Sequence, residues 1–351
     1  MPEIKEYNGK KFNPQVFDKY AEKVPNLKRN ELIKSGVYDV KNKYRALMTN
    51  EAGGDYIITP IKGLLDGEVQ NYDGVVDMVP TSTKTFYQGK PVFGRMKAWQ
   101  EKDFATELTG VNWMKDIAGE VAEYYQGVDQ ADLLAILEGI FSMSTDDAGN
   151  KDFVEKHTTD ISEEGEGVVS SATANKAVQK ALGANKGIIT LAIMHSEVAT
   201  NLENMQLLTY MLYNDANGIQ RQLNIATWNG KVVIIDDDMP VETTEGGDTL
   251  YTTYLLGKGS FEFENVGVKK PSEVGRDAAK NGGIDLLYTR QRHLVAPKWI
   301  SFTQKSVASS SATTAELALG ANWELVHDGA AEGKTYVNHK AIPIVKIVSK
   351  G

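Results

Sequence analysis

The sequence predicts an α+β fold, with helices and strands intermixed, no strand–helix–strand repeat and no internal repeat. Three observations carry this. Residues 55–100 alternate strand-like stretches with the breakers Pro60, Gly63, Gly67, Gly74, Pro80 and Gly89. Residues 112–143 hold the strongest helical period. Residues 221–310 return to strand patterns.

Residues 1–50 are polar, lysine-rich and weakly patterned, more an arm than a domain, with a short helix expected between Asn13 and Lys28 and broken at Pro25. Tyr56–Thr59 and Val92–Trp99 read as strands, with alternating segments at Val75–Val79 and Thr81–Tyr87. So broken a stretch cannot build its own core, and a long β-hairpin reaching away from the body is predicted. Met114, Ile117, Ala118, Val121, Ala122 and Tyr125 then recur at helical spacing behind Asn112 as N-cap. After Gly127 the pattern resumes with Leu133, Ile136, Leu137 and Ile140. A continuous helix would run roughly 30 residues, or about 45 Å. The alternative is two helices, with Asp129 capping the second.

Residues 144–170 read as a polar, acidic connection. Ser171–Leu182 has a helical pattern that stops at Gly183. Gly187–His195 is a buried strand, and Ser196 opens a helix with Val198, Leu202, Met205 and Leu208 inward. Asn229-Gly230 marks a hairpin between Thr227-Trp228 and Val232–Ile235. Tyr251–Leu256, Ser260–Glu264 and Ile284–Arg290 are further strands, followed by a short helix near Thr314–Leu319 and a last strand at Ile342–Val348.

The 351 residues leave room for about two domains. With no cysteine there is no disulfide framework, thiol nucleophile or cysteine-ligated metal. A net charge of −9 argues against a dedicated nucleic-acid binder. The opening residues, MPEIKEYNGKKFNP, lack the apolar stretch of an export signal. Apolar runs such as Gly187–Met194 fall far short of the ~20 residues that span a bilayer, and no membrane partner is expected.

Catalytic patterns are absent. The five histidines, at 157, 195, 293, 327 and 339, form no helical zinc pair. His195, between an apolar strand and a helix start, reads as a capping or packing residue. Gly329, Gly333, Lys334 and Thr335 resemble a phosphate loop, but the glycines are one residue too close and no helix pattern follows. That stretch reads as a polar hairpin turn. Asp236-Asp237-Asp238 cannot converge on one cation from an extended chain and reads as a solvated strand end. There is no dinucleotide fingerprint and no nucleophile elbow. No catalytic, cofactor-binding or metal-ligating residue is assigned, and no cofactor is expected.

The order of these parts resembles the major capsid proteins of tailed bacteriophages, with the Hong Kong 97 fold. Four stretches carry the resemblance: EKDFATELTG at 101–110, GIITLAIMHSEVATNLEN at 187–204, WNGKVVIIDDDMPV at 228–241 with YTTYLLGKGSFEFE at 251–264, and LLYTRQRHLVAPKWISFT at 286–303. The resemblance implies an N-terminal arm at 1–54 and an extended loop at 55–104. It implies a peripheral domain with a spine helix at 105–186, an axial domain at 187–325, and a C-terminal strand at 326–351 returning to the peripheral domain. Leu65, Val69, Tyr72, Val76, Phe86 and Tyr87 would make inter-subunit contacts from the extended loop. Met114, Ile117, Val121 and Tyr125 would pack the spine helix.

The implied function is a self-assembling icosahedral head shell of pentamers and hexamers. The shell would enclose double-stranded DNA without sequence-specific binding, and form part of the virion after assembly in the bacterial host cytoplasm. Portal and scaffolding proteins, and in some relatives a decoration protein, are the implied partners. The expectation here is a separate scaffolding protein, no cleavage of this subunit, and no covalent cross-linking through Lys84 or Lys90. The alternatives are an encapsulin-like nanocompartment shell, a soluble α+β enzyme without a recognisable motif, and a tail or decoration subunit.

Overall fold

The computed structural model describes residues 5–7, 10–12, 32, 34–45, 55–63, 69, 71–72, 84–103, 117–214, 220–330 and 333–351. The helix expected within Asn13–Lys28, the segment Val75–Val79 and the Asn112 cap lie outside these residues. In chain order the elements are β1 (Lys5–Tyr7), β2 (Lys10–Phe12), β3 (Tyr38–Val40), β4 (Tyr56–Lys62), β5 (Thr85–Lys102), α1 (Ile117–Phe141), α2 (Ala148–His157), β6 (Thr158–Asp160), α3 (Thr173–Leu182), β7 (Ile189–Met194) and α4 (Ser196–Asn204). Then come β8 (Leu208–Asn214), β9 (Gln220–Trp228), β10 (Lys231–Ile235), β11 (Val241–Thr243), β12 (Thr249–Gly257), β13 (Phe261–Asn265), β14 (Ser272–Asp277), β15 (Ile284–Pro297), β16 (Ile300–Phe302), α5 (Thr314–Leu317), β17 (Trp323–Leu325) and β18 (Ile344–Ser349).

Two sheets form the body. The first runs β6-β18-β12-β7-β10-β9-β8, with β11 on β12. The second runs β3-β13-β15-β5-β4, with β14 on β15. β7, in the middle of the first sheet, is buried on both faces and reads as a nearly continuous apolar run, ITLAIM, broken only by Thr190. Ala192, Met194, Leu255, Val345 and Ile347 face α3 and α4, where Ala177, Val178, Val198 and Leu202 close the layer. On the other side, Leu191, Ile193, Tyr254, Leu256 and Ile344 join the core that surrounds α1.

α1 is one continuous 25-residue helix, about 37 Å long, that passes through Gly127. Its second half sits between the two sheets. Leu133 to Leu137, Ile140 and Phe141 are therefore buried, while Glu138 stays exposed. α5 and β17 lie directly on its backbone. A Cβ at Gly139 would fall 2.3 Å from the Leu317 carbonyl oxygen, and one at Gly320 would fall 1.7 Å from that of Ser142. Gly320→Ala must push α5 off the helix end. It is expected to lower stability by about 1–3 kcal/mol in urea unfolding of the subunit, and an unchanged midpoint would refute this close approach.

The structure departs from the sequence expectations in several places. Residues 144–170 are not a plain connection, because α2 and β6 lie within them. β15 runs on from Arg290 to Pro297, pairing with β13 over His293–Pro297. α4 stops at Asn204, and Leu208 opens β8 instead of lying on the helix. The segment 187–325 is shared between the sheets, because the turn after Gly257 carries the chain from β12 of the first to β13 of the second. β18 pairs with β6 on one side and β12 on the other, tying 105–186 to 187–325. The Asn229-Gly230 hairpin forms as expected, with both residues at positive φ (49° and 73°), as a type I′ turn requires.

Candidate assembly surfaces

β4 and β5 pair antiparallel from Tyr56↔Pro91 to Lys62↔Thr85 and form a hairpin. Strand alternation gives this hairpin two unlike faces. Ile57, Thr59 and Ile61, paired with Lys90, Gln88 and Phe86, form one face. Ile58 and Pro60, paired with Gly89 and Tyr87, form the other. Ile58 is 62% exposed and Tyr87 58%. Val69 and Tyr72, further along the loop, are also exposed. Leu65 and Val76 lie outside the described residues. Phe86 corrects the expectation for it. Being adjacent to Tyr87, it points the opposite way, is only 6% exposed, and is buried within its own chain.

The hairpin base is fixed to the body by polar contacts. Gln88 Nε2 donates to the carbonyls of Pro297 (2.7 Å) and Ile300 (2.9 Å), and the Gly89 N–H donates to Ser301 Oγ at 2.9 Å. The Tyr56 hydroxyl crosses over Gly89 to donate to the Phe302 carbonyl at 2.6 Å. A Cβ at Gly89 would fall 1.6 Å from that hydroxyl, so only glycine leaves the passage open.

Beneath lies a buried ionic cluster. Lys90, 3% exposed, pairs with Glu262 at 2.5 Å, and its ammonium also donates to the Tyr44 hydroxyl at 2.9 Å. Tyr44 donates in turn to Glu262 at 2.9 Å. The backbone N–H groups of Tyr44 and Arg45 donate to the Glu264 carboxylate. Burial pulls the Lys90 pKa down, against the pull of Glu262. Burial raises that of Glu262, but the bonds and charge of Lys90, with Tyr44, outweigh it and hold the carboxyl below its usual range. Both directions describe one pair that stays charged because each half supplies what burial removes. Lys90 is thus held inside its own subunit and is not displayed to a neighbour.

The first half of α1 packs on the second sheet. Val121, with Ile117 and Tyr125 beside it, meets Val274, Leu287 and Trp99. The Tyr125 hydroxyl lies 2.8 Å from Thr289 Oγ1. Met114 lies outside the described residues. Sequence reasoning missed a second anchor, Arg95 to Asp132 at 2.7 Å, which joins β5 to α1 and is shared with Thr314.

The remaining polar candidates resolve into structure. His195 caps α4, its Nδ1 accepting from the Glu197 N–H at 3.1 Å. Asp328 accepts from the Ala330 and Thr335 N–H groups, and a β-bridge joins His327 to Tyr336. Asp236 is not solvated as expected: it turns inward at 5% exposure, while Asp237 stays in water. His157 is fully buried, with Nδ1 2.6 Å from the Ile344 carbonyl and Nε2 3.1 Å from His339 Nδ1. Among the described residues no three histidine, aspartate or glutamate side chains converge to hold a metal, and no helix is long and apolar enough to cross a membrane.

No protein-family model matches the sequence. The chain is 29% identical over 315 residues to the major capsid protein of Bacillus phage SPP1, covering 90% of this chain and 92% of that protein. Its fold is similar to the cyanophage Pam1 capsid asymmetric unit (TM-score 0.55, 11% identity, 99% of this chain and 96% of that one). It is also similar to the capsid of Ralstonia phage GP4 (TM-score 0.51, 9% identity, 75% and 83%). The acid-stable capsid of Helicobacter pylori bacteriophage KHP30 is a further match (TM-score 0.51, 11% identity, 89% and 88%). With two sheets around one long helix and an anchored hairpin, the chain has the Hong Kong 97 fold of phage capsids, and over nine-tenths of its length its sequence is similar to a phage major capsid protein.

Proposed function

We infer that this chain is the major capsid protein of a tailed bacteriophage and builds the head shell by self-association. The near full-length similarity to one such protein carries the reading. The geometry supports it: a hairpin rigidly held at its base presents an apolar outer face, Ile58, Pro60 and Tyr87, with Val69 and Tyr72 beyond. Surface of this kind is stabilised when another subunit covers it. The shell consists of pentamers and hexamers, with the extended loop of each subunit, including Leu65 and Val76, against a neighbour. α1, held through Ile117, Val121 and Tyr125, keeps the hairpin's sheet and the first sheet in register. Scaffolding and portal proteins guide assembly in the host cytoplasm, and the finished shell encloses double-stranded DNA as part of the virion. The subunit's role is structural, and no catalytic step is assigned to it.

Electron microscopy of the chain expressed with its neighbouring genes should show closed shells; a monomer that never assembles would sink the reading. Ile58→Lys with Tyr87→Lys changes exposed side chains and should leave subunit stability within about 0.5 kcal/mol. Shell yield should fall by about tenfold, because charges replace the covered apolar face. Normal yield from this double variant would remove the hairpin face from the interface.

A further inference from the structure

Five turns meet at the corner where the two sheets join. The Gly36 carbonyl accepts from the Gly259 N–H at 2.7 Å, and the Ile188 carbonyl accepts from the Lys258 N–H at 3.1 Å. The Pro343 carbonyl accepts from the Gly257 N–H at 2.8 Å and from Ser260 Oγ at 2.9 Å, and the Lys298 N–H donates to the Ser260 carbonyl at 2.8 Å. Each turn carries one exposed lysine: Lys34, Lys186, Lys258, Lys298 and Lys340. None of the stretches 32–37, 183–188, 257–260, 297–299 and 339–343 contains an aspartate or glutamate. Among the described residues Lys186, Lys258, Lys298 and Lys340 have no carboxylate partner. A chain of net charge −9 has thus gathered lysines at one point, around Ile188, which is 38% exposed.

The opposite charge lies on the extended loop. Between Lys62 and Lys84 there is no lysine or arginine, while Asp66, Glu68, Asp73 and Asp77 are acidic. Val69 and Tyr72 in that stretch are 98% and 94% exposed, so the loop's own subunit does not cover them. Resting on the shell reading above, we propose that the lysine corner is the docking site for the acidic extended-loop segment, residues 64–83, of a second copy of this chain. The carboxylates meet the lysines, and Val69 or Tyr72 covers Ile188. The apolar side chains favour this occupant over a nucleic-acid backbone, whose phosphates satisfy the charge but bury no apolar surface.

The test uses shells grown from equal parts of isotopically labelled and unlabelled subunits, treated with a zero-length carbodiimide coupler. Mass spectrometry should find mixed-isotope peptides joining Lys186, Lys258 or Lys340 to Asp66, Glu68, Asp73 or Asp77. Shells in which these links are missing, or arise only within one chain, overturn the docking but leave the shell reading standing; failure to form any shell sinks both. In a second arm, Lys186→Glu, Lys258→Glu and Lys340→Glu together should cut shell yield by about tenfold at roughly 0.15 M salt, with the subunit still folded by circular dichroism. Adding Asp66→Lys, Glu68→Lys and Asp73→Lys should restore it. No rescue, or normal shells that lose only DNA retention, would assign the corner to another partner.

Discussion

Glu262→Gln should destabilise the unassembled subunit by about 3 kcal/mol, because it leaves the Lys90 ammonium buried without its counter-charge. Lys90 is 3% exposed, while Glu262, at 25%, keeps some solvent. That asymmetry places the cost at the lower end for breaking a buried pair. Removing both charges, as Lys90→Met with Glu262→Met, should bring stability back to within about 1 kcal/mol of the wild type. Urea unfolding of the two variants is the measurement. A single variant no worse than the double would mean that the pair is already solvated. The same lesion should loosen the end of the N-terminal arm, because the Tyr44 hydroxyl bonds both Lys90 and Glu262. Faster proteolysis near Tyr44 in the single variant would show this.

The second large effect is acid lability centred on His157. Burial lowers its pKa to about 4, while the bond to the Ile344 carbonyl pulls the other way. In the unfolded chain the ring takes up a proton near pH 6.5. Below that pH the unfolded state therefore binds more protons than the folded one, and stability falls as pH falls. The contribution is complete above about pH 6.5 and lost by about pH 4, a change of about 3 kcal/mol. His339 shifts in the same direction, lowered by burial against the pull of Asp152, with Lys156 and Lys340 adding to the fall. A proton on His157 Nε2 would face the ring nitrogen of His339 and break the contact between α2 and the residues before β18. His157→Gln should flatten the curve of stability against pH between 6.5 and 4, at the cost of lower stability at pH 7. Parallel curves for variant and wild type would place the acid response elsewhere.

Much of the fold was legible because local pattern and burial agree. β7 is an apolar run, α3 ends at Gly183, and Asn229-Gly230 turns a hairpin. Where burial is achieved with polar groups, hydropathy is silent. α2 buries Gly149, Asn150, Phe153 and His157, a face with one large apolar residue, and its anchors are hydrogen bonds to chain far away in sequence. β15 was legible only to Arg290, because Arg290, Gln291 and Arg292 interrupt the apolar pattern before the strand resumes inside the core. At the candidate surface, neighbouring aromatics decided the outcome. Phe86 and Tyr87 look alike in composition, but a strand sends them to opposite faces. The Lys90–Glu262 pair spans 172 residues of chain and leaves no local signal.

β5 has a mechanical consequence. It is one unbroken strand of 18 residues, about 60 Å long, with Thr85–Pro91 paired to β4 in the hairpin and Val92–Lys102 paired to β15. A neighbour that tugs on the loop along this strand does not peel hydrogen bonds apart one by one. The load spreads at once over the ladder from Val92 to Lys102 against β15, in shear, and through Arg95 into α1. The hairpin is the projecting end of a beam built into the wall, so strain at one subunit contact is shared across the subunit body before any single bond yields.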